Sequence, residues 1–268
     1  MTRHTPASLN GKTLLITGAG GDIGLATARA LGQLGARLAL LDIDADKLEA
    51  ARIELTGQSI QCITTQCDIT DAEAVEQSLS AIETEFGPID GLFNNVGYQG
   101  AFTATHQYPL DDFKRVMDIN VTGAFVMLQA VTARMVRNGG GTVVNTASMA
   151  ALGGPPNMLA YATSKAALLG MTQTAAKDLA PHNIRVNAIS PAYMGPGFMW
   201  TRQVELQAAA GSQYFDSDPE MVEQQMIQSI PMRRYGSIEE IPGTVAFLLS
   251  DQSSYITGIN IPIAGGIG

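Results

Sequence analysis

The chain is 268 residues long, 46% hydrophobic, and carries a formal net charge of −9 at neutral pH. That apolar content suits one large α/β domain or two small ones with ample core. The acidic balance, with no basic run longer than Arg233-Arg234, argues against nucleic acid and anionic membranes as partners.

Residues 1–10 read as a loose tail. From residue 12 onward, strand-like apolar runs alternate with helix-like periodic ones. Strands are expected at 12–17, 37–42, 60–68, 89–95, 141–148, 184–190 and 258–263, and helices at 23–34, 45–55, 70–86, 110–136, 158–179 and 237–249. Thr70 with Glu73, and Ser237 with Glu240, have capping-box spacing. Seven strands alternating with helices imply a Rossmann-type α/β fold: a doubly wound, seven-stranded parallel sheet with helices on both faces. No linker or repeat divides the chain, so 1–268 reads as one domain. The long interruption, 191–234, is rich in Gly, Pro, Gln and Met and holds Trp200, the only tryptophan. It follows a strand end where ligands bind in such sheets, so it reads as a lid; an extra helical pair packed on the core is the alternative.

No segment approaches ~18 uninterrupted apolar residues and the N-terminus lacks an apolar signal core, so a cytoplasmic protein without membrane association is expected. Cys62 and Cys67 have an odd offset that puts them on opposite faces of a strand, against a mutual disulfide. His4, His106 and His182 match no metal-ligand spacing, so no metal is expected.

Thr17-Gly18-Ala19-Gly20-Gly21-Asp22-Ile23-Gly24 joins the first strand to the first helix. Glycines there let the backbone approach a pyrophosphate, whose charge the helix N-terminus attracts. Ile23 stands where the strict G-x-G-x-x-G pattern has its last glycine, so the motif alone is only a glycine-rich turn. Asp42 ends the second strand, 24 residues after Gly18. A carboxylate there accepts the adenosine ribose hydroxyls and repels a 2′-phosphate; capping the next helix is the plainer reading. Asp68 and Asn94 end the third and fourth strands and face the same crevice, Asp68 toward an adenine amine and Asn94 as a strand brace, or both as loop caps. The pairs Asp111-Asp112 and Glu239-Glu240 read as solvated helix starts.

Ser148, Tyr161 and Lys165 form the most informative group. Tyrosine and lysine at i and i+4 share a helix face. A phenol titrates near ~10, and a neighbouring cation lowers that value. A serine from a strand end supplies a hydrogen bond to the same substrate oxygen. Together these are parts for moving a proton on and off an alcohol or carbonyl.

With the loop at 18–24, Asn94-Asn95-Val96-Gly97, Ser148 and Tyr161-x-x-x-Lys165 in one order, the chain resembles the short-chain dehydrogenase/reductase family over nearly its whole length. The resemblance implies a catalytic Tyr161, with Lys165 lowering its pKa and holding the nicotinamide ribose, Ser148 orienting the reacting oxygen, and Asn120 positioning a water linked to Lys165. It implies NAD as cofactor, bound by Gly18, Gly21, Asp22, Ile23, Asp42, Asp68, Ile69, Asn94, Val96, Gly97, Pro191 and Met194 together with Tyr161 and Lys165. The runs Phe93–Phe102, Gly154–Met158 and Tyr193–Trp200 are similar to polyol-oxidising members. That implies oxidation of a secondary hydroxyl on a small polyol of pentitol size, with Gln99, Asn157, Tyr193, Met199 and Trp200 joining Ser148 and Tyr161 at the substrate. A homotetramer packed through the helices near 110–136 and 158–180 is also implied. A reductase of 3-oxoacyl groups is opposed by Asp42, and a non-catalytic NAD-binding scaffold by the complete set of four catalytic residues.

Three positions depart from the family pattern. Asp22 and Ala192 stand where glycine is usual, and Val96 where alanine is. The methyl groups of Val96 and Ala192 should tighten the crevice without blocking it. A carboxylate ~4 Å from a phosphate charge costs about 4 kcal/mol at an effective dielectric of ~20. Asp22 is therefore expected to turn away and cap the amides of its own helix, with a hydrogen bond to a ribose hydroxyl as the alternative.

Overall fold

The computed structural model describes residues 8–268. Nine strands and ten α-helices follow in chain order: β1 (Thr13–Thr17), α1 (Asp22–Gln33), β2 (Arg37–Asp42), α2 (Ala45–Gly57), β3 (Cys62–Gln66), α3 (Ala72–Phe86), β4 (Gly91–Asn94), α4 (Leu110–Met117), α5 (Ala124–Asn138), β5 (Gly141–Thr146), α6 (Ala150–Gly153), α7 (Leu159–Leu179), β6 (Ile184–Pro191), β7 (Met194–Gly195), α8 (Phe198–Ala209), α9 (Pro219–Ser229), β8 (Gly236–Ser237), α10 (Pro242–Leu249) and β9 (Asn260–Ile263). Seven strands form one parallel sheet in the order β3-β2-β1-β4-β5-β6-β9. The order reverses direction between β1 and β4, which opens a crevice at the carboxyl ends of the central strands.

The sheet is covered on both faces. Leu14, Ile16, Leu38 and Leu40 pack with α1, α2 and α10 on one side, while Leu15, Ala39 and Leu41 pack with α3, α5 and α7 on the other. Side chains alternate across a strand, so continuous apolar runs are what two buried faces require. Each fully buried leucine contributes roughly 2 kcal/mol of transfer free energy. Cys62 packs with the first cluster and Cys67 with the second, and both are free thiols.

Several expectations are corrected. Leu9 is fully buried in the first cluster and its N–H donates to Leu34 O, so the end of the expected tail is anchored; residues 1–7, with His4, lie outside the described residues. The cap of α3 is Asp71, not Thr70: its carboxylate accepts from Glu73 N and Ala74 N, while Thr70 is bonded to Asp68. The Ser237–Glu240 capping box forms as expected, but on a 3₁₀ turn leading into α10. The expected helix at 110–136 is α4 and α5 joined by a π-helical turn, Asp118–Gly123. Leu110–Asn138 is long and apolar enough to cross a bilayer by length and composition. Here Met127, Leu128, Val131 and Met135 are buried against the sheet.

The interruption at 191–234 holds a helical pair, α8 and α9. It has its own small core of Trp200, Val204, Ala208, Val222 and Met226, with Tyr193, Phe215 and Tyr235 packed against it. A two-stranded parallel ribbon, β7 with β8, closes its base.

Candidate active site

The crevice gathers the ends of β1, β2, β4, β5 and β6. Thr17 Oγ1 accepts from Asn95 N at 2.9 Å, Asn94 Nδ2 donates to Ala124 O at 2.9 Å and Asn145 Oδ1 at 3.2 Å, and Thr146 Oγ1 donates to Asn95 Oδ1 at 3.2 Å. Asn94 therefore braces the strand ends. Buried and fully bonded, this network holds the crevice floor rigid.

Gly18 has φ +64°, a left-handed conformation that glycine adopts without strain. A β-carbon on Gly24 would stand 2.1 Å from Gly18 O, so α1 packs against the turn only with glycine there. Val96 borders Gly18, with its Cγ2 3.4 Å from where a Gly18 β-carbon would be. Asp42 Oδ2 accepts from Gly20 N at 2.9 Å and Oδ1 from Asp44 N at 3.1 Å. It thus braces the turn, and each oxygen keeps a second lone pair for a ribose hydroxyl. The α2 cap is Asp44, not Asp42. Asp68 Oδ1 accepts from Thr70 N and Oγ1, the loop-cap alternative; Ile69 is buried against Gly123.

Asp22 does turn away from the turn, but not to cap α1. The N-cap of α1 is Gly21, with no side-chain cap, and Asp22 Oδ2 accepts from Phe198 N at 3.0 Å, in the first turn of α8. The uncapped first turn of α1, the left-handed Gly18 and the carboxylate ending β2 fit a dinucleotide lying across the turn.

Ser148, Tyr161 and Lys165 meet beside this turn. Lys165 is fully buried, its Nζ donating to Thr146 O at 2.7 Å and standing 5.7 Å from the Tyr161 ring centroid. Burial lowers its pKa to about 8. Gly97 leaves room above it, since a β-carbon there would be 3.2 Å from Nζ. Ser148 Oγ donates to Pro191 O at 3.4 Å and accepts from Ala150 N at 3.1 Å. The expected depression of the Tyr161 pKa is overturned for the protein alone. Burial pushes the phenol up, and the hydrogen bond with Ser148 only partly opposes it. The Lys165 ammonium, turned to Thr146 O, does not reverse that balance.

Asn120 is buried in the π-helical turn, a feature that recurs at functional sites. Its Oδ1 accepts from Tyr98 N at 2.7 Å; its Nδ2 donates to Tyr98 O at 2.8 Å and Ser164 Oγ at 2.9 Å. Ser164 in turn donates to Tyr161 O. The side chain braces the Tyr98 backbone against the Tyr161 turn. Asp112 is no solvated helix start: it accepts from Tyr108 Oη at 2.9 Å, Ala101 N at 2.7 Å and Tyr98 Oη at 3.3 Å, fixing the loop that carries Gln99. Glu239 and Glu240 stay exposed in the 3₁₀ turn before α10, as expected of a solvated helix start, and pair there with Arg29 and with Arg234 and Ser237 N.

Of the expected substrate contacts, Trp200 and Tyr193 lie in the core of the helical pair, their rings 5.9 Å apart, with Trp200 Nε1 donating to Glu223. Asn157 Nδ2 donates to Gln207 Oε1 at 2.8 Å and Ser212 Oγ at 3.0 Å. Gln99 Nε2 donates to Gln203 Oε1 at 3.3 Å, while its buried Oε1 has no partner. Met199 is partly exposed. Met194 lies in β7 and packs on Gly236, and Pro191 ends β6 beside Ser148. Gln203 and Gln207 were missed; the signal was their spacing from Met199, since 199, 203 and 207 share one helix face. Among the described residues, no group of three or more His, Cys, Asp or Glu is placed to hold a metal ion.

A family model described as enoyl-(acyl carrier protein) reductase matches residues 18–268. The chain is 37% identical over 257 residues to levodione reductase from Leifsonia aquatica, covering 95% of this chain and 93% of that protein. It is 34% identical over 259 residues to a 3-oxoacyl-(acyl-carrier-protein) reductase from Thermotoga maritima, covering 97% of this chain and 98% of that one. Among solved structures, NAD⁺-bound xylitol dehydrogenase superposes with a TM-score of 0.95 at 59% identity, over 96% of this chain and 99% of that one.

Proposed function

Because the chain belongs to the short-chain dehydrogenase/reductase family of oxidoreductases, we propose that it oxidises xylitol to D-xylulose with NAD. The observation that carries the polyol is the amide-lined seam under α8. Gln99 faces Gln203 and Asn157 faces Gln207, and the buried Gln99 Oε1 awaits a donor that a substrate hydroxyl supplies. The similarity to xylitol dehydrogenase supports the same class.

In this reading Tyr161 takes the hydroxyl proton while Ser148 holds the reacting oxygen. The Lys165 ammonium stabilises the phenolate and, beside Gly97, reaches the nicotinamide ribose. When bound, NAD supplies the hydride acceptor. Gly18, Gly21, Ile23 and Val96 border the dinucleotide, and Asp42 accepts from its adenosine ribose. Residues 191–234 act as the lid. The assembly is a cytoplasmic homotetramer; Leu110, Phe125, Val136 and Leu159, exposed on α4, α5 and α7, supply apolar surface for it.

The test is NADH formation across xylitol, sorbitol, galactitol and simple secondary alcohols. Xylitol should give the highest kcat/KM. Turnover confined to simple alcohols, or to reduction of ketones, would remove the polyol assignment. The ketone-reductase reading draws on the partly exposed Met199 in the first turn of α8 and on the levodione reductase similarity.

Asp42 sets the cofactor preference. At ~4 Å and an effective dielectric of ~20 a carboxylate opposes a 2′-phosphate charge by about 4 kcal/mol, so kcat/KM should favour NAD over NADP by about a hundredfold or more. Asp42→Ser should remove most of that ratio. It should also weaken NAD binding, because the Gly20 N–H loses its acceptor. A ratio unchanged in the variant rules the assignment out.

A further inference from the structure

The Asp22 contact is unexplained by the chemistry above. Its carboxylate begins α1, in the turn read here as the phosphate site, yet its partner is Phe198 N, 176 residues away in the lid. The approach is purpose-fitted on both sides. The cap position of α8 is Gly197, which has no side chain to cap the helix, and a β-carbon there would lie 2.5 Å from Asp22 Oδ2. Only a glycine admits the carboxylate, and an acceptor from outside the segment satisfies the first N–H of a twelve-residue helix whose own cap residue cannot.

We propose that Asp22 is a positioning residue whose carboxylate ties α8 to the dinucleotide-binding turn, so that lid closure and cofactor binding reinforce each other. Phosphate charge in the turn and the Asp22 carboxylate repel each other. When α8 is seated, its N-terminal N–H groups and dipole offset that carboxylate. The closed lid therefore lowers the electrostatic cost of binding the dinucleotide. By reciprocity the bound dinucleotide favours the closed lid. The tie bears on the alcohol as well, because the same helix carries Met199, Gln203 and Gln207, whose amides meet Gln99 and Asn157.

The inference rests on the dinucleotide-binding reading but not on the identity of the alcohol. Hydrogen exchange at the Phe198 amide is measured in wild type, Asp22→Asn and Asp22→Ala, each alone and with NADH. Acrylamide quenching of Trp200, the only tryptophan and part of α8, is followed in parallel. In wild type NADH should slow the exchange. Asp22→Asn keeps an acceptor and drops the charge: its free-state exchange should stay near wild type, NADH should bind more tightly, and the added slowing by NADH should vanish. Asp22→Ala should exchange about fivefold faster without cofactor. The KM of the alcohol should rise by a similar factor in Asp22→Ala and recover in Asp22→Asn. Gly197→Ala, which displaces the carboxylate from the other side, should reproduce the Asp22→Ala exchange. Equal Phe198 exchange in all the proteins, or weaker NADH binding by Asp22→Asn, overturns the tie. Because exchange and NADH binding are read without any alcohol, a wrong substrate leaves both results interpretable.

Discussion

Tyr161→Phe protein should bind NADH as wild type does and oxidise the alcohol about a thousandfold more slowly, in the range that general acid–base catalysis contributes. The substitution removes one oxygen and keeps the ring, so Lys165 retains its 5.7 Å placement over the aromatic face and its bond to Thr146 O. No neighbour is placed to take over. Ser148 offers a neutral hydroxyl that orients the reacting oxygen and is no base at these pH values, and His106 and His182 stand exposed on 3₁₀ turns outside the crevice. The pH profile adds a second reading. Burial pushes the phenol up, so the wild-type oxidation rate should climb with pH as phenolate forms, and the residual rate of the variant should lose that rise. Steady-state kinetics from pH 6 to pH 10 with a separate NADH titration checks both parts. Activity within tenfold of wild type, or an unchanged pH profile, would take the proton acceptor away from Tyr161.

How much of this was legible in the chain depends on the range of the contact concerned. The strands of the sheet were legible because parallel strands buried on both faces write themselves as unbroken apolar runs; 37–42 was read to the residue. Ser148, Tyr161 and Lys165 were legible because helix periodicity and a strand end already bring them together. The π-helical turn at 118–123 was not, since its residues continue an ordinary helical pattern into α5. Leu9 was assigned to the tail because a single leucine among polar neighbours has no periodicity; its burial comes from contact with α1.

The missed contacts at the site are long-range side chain–backbone bonds, for which sequence has no local signature. Asn120 was legible as a site residue, but nothing in its neighbourhood announces Tyr98, which lies 22 residues upstream. Asp112 reads as one of two acids at a helix start, and only the fold brings Tyr98 and Ala101 to it. Trp200 was taken for a substrate contact because it lies in the lid. An indole that large is equally the natural centre of a small helical pair, and there it sits. Asp22 was expected to cap its own helix, the partner that sequence makes visible, and the structure gives it Phe198 N instead.

Lys165→Met should make the cofactor-free protein more stable at pH 7 while reducing turnover by at least about a hundredfold, a trade of catalytic charge for packing. Burial drops the Lys165 pKa from the ordinary 10.5 to about 8. The folded state therefore binds fewer protons than the unfolded state between those values, and stability rises with pH across that window. Below about pH 8 the full penalty stands, and the gap corresponds to roughly 3 kcal/mol. Methionine fills the same buried channel without the charge. It leaves Thr146 O without its Nζ partner, a loss of about 1–2 kcal/mol. The net gain of roughly 1–2 kcal/mol at pH 7 should raise the melting temperature by about 3–6 °C for a chain of this size. Above about pH 10 unfolded lysine also loses its proton, the penalty disappears, and the variant should fall level with wild type or below it. Thermal melts of both proteins from pH 6 to pH 10 read the gap directly. A variant less stable at pH 7, or a difference that does not shrink with rising pH, would mean that the Lys165 charge is stabilised inside the fold by more than the Thr146 carbonyl.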